Sequence, residues 1–110
     1  MSRAIDRLVA AKVMGTESSF FLDRCPEFST DIAAADEVIE HFGVLPVKID
    51  NCWRVALQDD AGARLSGWTC LIVNHDRAGE ATEPTRPMAI SIAALRAVCV
   101  PEETIAEGRK

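Results

Sequence analysis

The sequence predicts an α+β domain built on a small antiparallel sheet of about three strands, in the order α-α-β-β-β-α. Three observations predict it. Apolar residues in 2–14 and 29–43 recur with helical spacing. Those in 44–73 alternate instead, punctuated by polar turns too short for parallel crossovers. From Met88 to Val100 the chain is apolar nearly all round, behind a capping threonine and a proline. Helices and strands in separate runs belong to the α+β class.

The chain has 110 residues, 48% apolar and 26% charged, which suits one folded core and excludes a disordered segment. Residues 1–100 are expected to form that single domain, with 101–110 as a charged tail. A first helix runs over 2–14. Ile5, Leu8, Val9 and Val13 share a face with Lys12, Ser2 can cap the start, and Gly15 can take the left-handed conformation that ends it. The connector 16–28 holds Phe20, Phe21 and Leu22 as an apolar anchor, and Pro26 breaks it. The second helix starts at Ser29 or Thr30, with Asp31 in its first turn. Its buried stripe is Ile32, Ala35, Val38, Ile39 and Phe42, and Gly43 stops it.

Strands follow over Val44–Ile49, Cys52–Leu57 and 63–73, separated by the turns Asp50-Asn51 and Asp59-Asp60-Ala61-Gly62. Residues 74–84 read as a polar loop. Thr85 caps the third helix, Pro87 sits in its first turn, and Pro101 ends it. A helix so apolar needs cover on more than one side: the sheet and another helix, or a second subunit.

Several function classes are disfavoured. The net charge of -5 repels a nucleic-acid backbone, and no lysine or arginine cluster offsets it locally, so no direct nucleic-acid partner is expected. Apolar runs are too short to span a bilayer. Arg3, Asp6, Arg7 and Lys12 interrupt the apolar core a signal peptide needs, which leaves the cytoplasm as the expected location. Cys25, Cys52, Cys70 and Cys99 stand 18 to 29 positions apart, without the close pairs of a zinc site. No metal is expected. Cys52, Cys70 and Cys99 lie in apolar segments, where reduced cysteine acts as a small hydrophobe, and Cys25 is the expected exposed thiol. No cofactor motif occurs, so no cofactor is expected either.

Convergent catalytic groups are also hard to find. His41 ends the second helix, where histidine suits the dipole. His75 sits with Asn74, Asp76 and Arg77 in a polar loop but without a placed nucleophile. The chain is therefore expected not to be an enzyme. Asp36, Glu37 and Glu40 lie off the buried stripe of the second helix. They make either a solvated face or, with Asp59 and Asp60, an acidic contact surface for a protein partner. In the alternative, Trp68, His75 and Arg96 line a pocket for a small molecule or nucleotide signal.

Two N-terminal stretches carry a resemblance. Asp6-Arg7-Leu8-Val9-Ala10-Ala11-Lys12-Val13-Met14-Gly15, followed by Phe28-Ser29-Thr30-Asp31-Ile32-Ala33-Ala34-Ala35, resembles the phage ABA sandwich domain family. Pro87–Val98 is similar to its closing helix, and Trp53-Arg54-Val55 fits an intervening strand. The resemblance covers most of 5–98. It implies a three-layer α/β/α sandwich encoded by phages or prophages, and it brings no catalytic residues. Where family members carry aromatics after Met-Gly and within the second helix, this chain has Thr16 and Asp36. Together with the acidity and small size, the resemblance points to a non-enzymatic phage accessory protein. Its expected partner is a host protein, as in antagonism of a defence system such as CRISPR. An oligomeric ligand binder, joined through the third helix, and a phage structural or regulatory protein are the alternatives.

Overall fold

The computed structural model describes residues 3–15, 25–41, 52–58, 61–62, 64–74 and 77–109. Helix α1 (Arg3–Leu8) continues as one π-helical stretch, Val9–Val13, before α2 (Ile32–His41). Strands β1 (Cys52–Gln58), β2 (Arg64–Asn74) and β3 (Arg77–Glu83) come next, then α3 (Arg86–Ala97) and α4 (Glu102–Gly108). The strands form an antiparallel meander in the order β1-β2-β3. The α+β class and the three-stranded antiparallel sheet with helices packed on it are as the sequence predicts.

The strands themselves differ in part. The expected strand Val44–Ile49, the turn Asp50-Asn51 and the Phe20-Phe21-Leu22 anchor lie outside the described residues. Residues 77–83, expected as loop, form β3, with Gly79, Ala81 and Glu83 turned inward. Alternation is present there, but glycine and alanine carry it, and both are weak strand formers. The reason for small residues is the helix above them. A Cβ on Gly79 would stand 2.0 Å from the Ala93 carbonyl oxygen and 2.4 Å from the Ala97 amide nitrogen. Helix α3 lies almost directly on the β3 backbone, and only glycine permits that approach.

Helix α3 is the centre of the molecule. Its residues Ala89 to Leu95 and Ala97 are buried, against β2 and β3 on one side and α1 and α2 on the other. The apolar surface that called for cover is thus satisfied within the chain, which removes the reason for a homo-oligomer through this helix. Thr85 caps it as expected, Oγ1 accepting from the Met88 amide at 3.4 Å. Its end comes earlier than Pro101. Cys99 adopts φ 62°, and the Cys99 and Val100 amides donate to the Arg96 and Leu95 carbonyls at 3.1 and 3.0 Å. That is a Schellman closure with cysteine where glycine is usual.

A buried polar chain joins α1, the 28–31 turn and α3. Asp6 is fully buried, and its Oδ1 accepts from the Ser29 amide at 2.8 Å. Ser91 Oγ donates to the Phe28 carbonyl, also at 2.9 Å from the Pro87 carbonyl. Ser29 is consequently not the α2 cap. Asp31 is: its Oδ1 accepts from the Ala33 amide at 2.9 Å. The stripe of α2 shifts with it, to Ala34, Ala35 and Val38 with Ile39 partly covered, and Ile32 is exposed.

Two further expectations are corrected. The stretch after Pro101 is no tail, because α4 buries Ile105 and seats Gly108 against Ile5 and Leu8 of α1. Cys52 and Cys70 are not separate thiols. They face each other across the β1–β2 register, 4.1 Å between Cα atoms, and form a disulfide. Cys25 is buried, while Cys99 is the exposed thiol, its Sγ 2.7 Å from Arg77 Nη1. Position relative to the local apolar run is a poor guide here: pairing depends on register, which spacing alone does not show.

Candidate functional surfaces

The two faces of the sheet are chemically different. Cys70, Ile72, Gly79 and Ala81 point toward α3 and are buried. Their neighbours point away. Trp53, Leu71 and Val73 are 46%, 37% and 54% exposed, and they fall in adjoining rows of the register with Thr69, Glu80 and Ala78. A solvated antiparallel face normally alternates to polar residues. Here the run Cys70-Leu71-Ile72-Val73 is apolar on both faces. The signal was legible as an unbroken apolar strand, a pattern that marks a strand buried on both sides.

A second surface gathers arginines around one indole. Arg54, Trp68 and Glu83 are successive partners across the sheet on its inner face, at the end where α3 begins. The guanidinium carbons of Arg54 and Arg86 lie 5.4 and 5.9 Å from the Trp68 ring centroid. Both are within cation–π range. Glu83 is buried and pairs with Arg109, which ties α4 to β3, its Oε2 accepting from Nη2 at 3.1 Å. Arg86 Nη1 stands 3.6 Å from Asp36 Oδ1.

The expected site residues distribute as follows. Asp36 and Glu37 are exposed on α2, with Asp36 engaged by Arg86 at the start of α3. Glu40 and His41 belong to α2, but their side chains lie outside the described residues, as do Asp59, Asp60 and His75. Trp68 and Arg96 are not brought together. Arg86, which touches Trp68, and Arg96 are ten positions apart on α3, about 15 Å along its axis. Arg96 is already occupied. It binds Glu102 through Nε at 2.9 Å and Nη2 at 3.2 Å, and donates from Nη1 to the Glu80 carbonyl at 2.7 Å. This clamp joins α3, α4 and β3. Sequence reasoning missed Arg54 because a lone arginine on a strand shows no partner until register places Trp68 beside it.

Among the described residues, no three histidine, cysteine, aspartate or glutamate side chains converge as a metal site would need. No helix among them is long and apolar enough to cross a membrane.

The contacts also explain why the two N-terminal stretches resemble one family. Asp6 of the first stretch holds Ser29 of the second, and the Phe28 carbonyl accepts from Ser91 of the closing helix. One polar chain thus links the three. No curated protein and no solved structure matches the chain. The family model for the Phage ABA sandwich domain matches residues 7–95, a span that runs from α1 through α3. The chain belongs to the phage ABA sandwich domain family.

Proposed function

We propose that this is a non-enzymatic phage accessory protein that acts in the host cytoplasm by binding a host protein, and that the partner belongs to a bacterial defence system such as CRISPR. The observation that carries the reading is the outward face of the sheet, where Trp53, Leu71 and Val73 are exposed together. Contiguous exposed apolar groups on a small folded protein mark interaction surfaces, and tryptophan is enriched among the residues that dominate interface energy. Membership of a phage family supports action inside a host cell. The net charge of -5 favours a partner whose apolar patch has a basic rim. The acidic face of α2 is the weaker surface, because Asp36 already pairs with Arg86.

The test is capture from host lysate followed by reconstitution. The captured protein, once purified, should bind the wild-type chain in calorimetry. It should bind Trp53→Ala about 30-fold more weakly, the loss expected for one buried aromatic anchor. An unchanged Kd removes the sheet face from the interface. A doubled mass for the chain alone, abolished by Trp53→Ala, assigns that face to a second copy instead. Defence antagonism is read separately, from plating efficiency of a targeted phage on cells expressing the protein. Without rescue, that part of the proposal falls and the binding part stands.

A further inference from the structure

The arginine cluster on Trp68 has an uneven charge count. Arg109 has Glu83, and Arg86 has Asp36, but Arg54 has no carboxylate partner among the described residues. Arg54 is also exposed, on β1, which is an outer strand of the sheet among the described residues. Its guanidinium carbon stands 5.4 Å from the Trp68 ring centroid, and a guanidinium binds acids through its N–H edge. That edge matches a carboxylate in bidentate geometry, and stacking reduces the side-chain freedom lost on binding. The cluster already attracts one such group. Asp36 stands 3.6 Å from Arg86, beyond the 2.7–2.9 Å typical of a charge-assisted hydrogen bond, and both side chains are solvent-accessible. It is a loose pair that an incoming acid can displace.

We propose that Arg54, seated on Trp68 and flanked by Arg86, is the receptor for a carboxylate ligand. Asp36 acts as an internal competitor for the Arg86 side of the site. The chain's charge of -5 selects against polyanions, so the ligand carries one or two negative charges rather than a nucleic-acid backbone. The proposal is independent of the sheet-face reading, since Trp53 and Arg54 project from opposite faces of β1.

The site reports on itself through Trp68. In a Trp53→Phe background, Trp68 is the single tryptophan, and its emission is followed during titration with glutarate at fixed ionic strength. A saturable change is expected. Arg54→Ala should weaken it at least about tenfold, as should Arg54→Lys, which keeps the charge but not the two-pronged edge. Asp36→Asn should strengthen binding several-fold by releasing Arg86. Circular dichroism of each variant checks that the fold is intact, and the lysine variant serves if the alanine variant does not fold.

The same titration with acetyl-Gly-Glu-Gly-amide and its Gln counterpart distinguishes sources. Tighter binding of the Glu peptide than of glutarate assigns the carboxylate to a protein side chain. Binding of glutarate alone assigns it to a free acid. Both support the proposal. A response unchanged in Arg54→Ala, retained in full by Arg54→Lys, or reproduced by chloride overturns it. So does tighter binding of inorganic phosphate than of either carboxylate.

Discussion

The two faces of one sheet follow opposite rules. On the inner face the side chains shrink to nothing at Gly79 and to methyl groups at Ala81, Ala93 and Ala97, so that α3 can lie on the β3 backbone. On the outer face Trp53, Leu71 and Val73 are large, and each keeps about a third to a half of its surface in water. Apolar residues on the outer face depart from the polar side chains usual on the solvated side of an antiparallel sheet. The inner face is explained by folding alone. The outer face is not, and a surface whose apolar groups do little for stability is where a partner is expected.

Mutations can break this contrast at several strengths. The largest effect should come from Gly79→Ala. Its new methyl meets helix backbone that cannot rotate away, so about 3 kcal/mol of stability should be lost in urea unfolding. A loss under about 1 kcal/mol would mean that α3 lifts easily, and the inner face is less tightly fitted than described. Next is the Cys52–Cys70 bridge, which fastens β1, the strand bearing Trp53, to β2. Replacing both cysteines by alanine opens a loop of 18 residues and should cost about 2–3 kcal/mol. A double variant as stable as wild type would show that the ladder alone holds β1.

A smaller loss is expected at Ser91, which is buried and answers the Phe28 carbonyl from α3. Ser91→Ala should lower stability by about 1–2 kcal/mol, because it leaves that buried carbonyl without its donor. Equal stability would place another donor there. The smallest effect belongs to the outer face. Trp53→Ser should change the melting free energy by under about 0.5 kcal/mol, as substitutions at exposed positions do. A loss above about 2 kcal/mol would make Trp53 a structural residue and erase the contrast. With binding affinity and stability measured on the same variant, the two roles separate.

How much of this was legible in the sequence varies by element. Thr85 and Pro87 announced the start of α3, and the helix's all-round apolarity announced its central position. The pairing of β1 and β2 followed from alternation around short turns. Strand β3 was hidden because the close approach of α3 had replaced strand-forming residues with Gly79 and Ala81. Helix α4 was hidden because Ile105 is its one fully buried apolar anchor in a charged segment. The acidic candidates on α2 were visible as charges, but the pairing of Asp36 with Arg86 was not, since 50 positions separate them. The Arg54–Trp68 stack and the exposed row across the outer face share that difficulty. Each is a relation between strands.

What the sequence determined by itself was local: where α1, α2 and α3 form, the Thr85 cap of α3, and that this one apolar helix needs cover on several sides. Short-range hydrogen bonding and side-chain periodicity decide these, and both can be read within a few residues. Tertiary structure decided which face each strand presents, which cysteines join, and which arginine is left without a carboxylate among the described residues. A one-residue change of register would exchange the two faces of β2 and turn Leu71 and Val73 inward in place of Cys70 and Ile72. The packing of α3 on Gly79 and the Cys52–Cys70 bridge choose between those arrangements, and in choosing they leave Trp53, Leu71 and Val73 facing water.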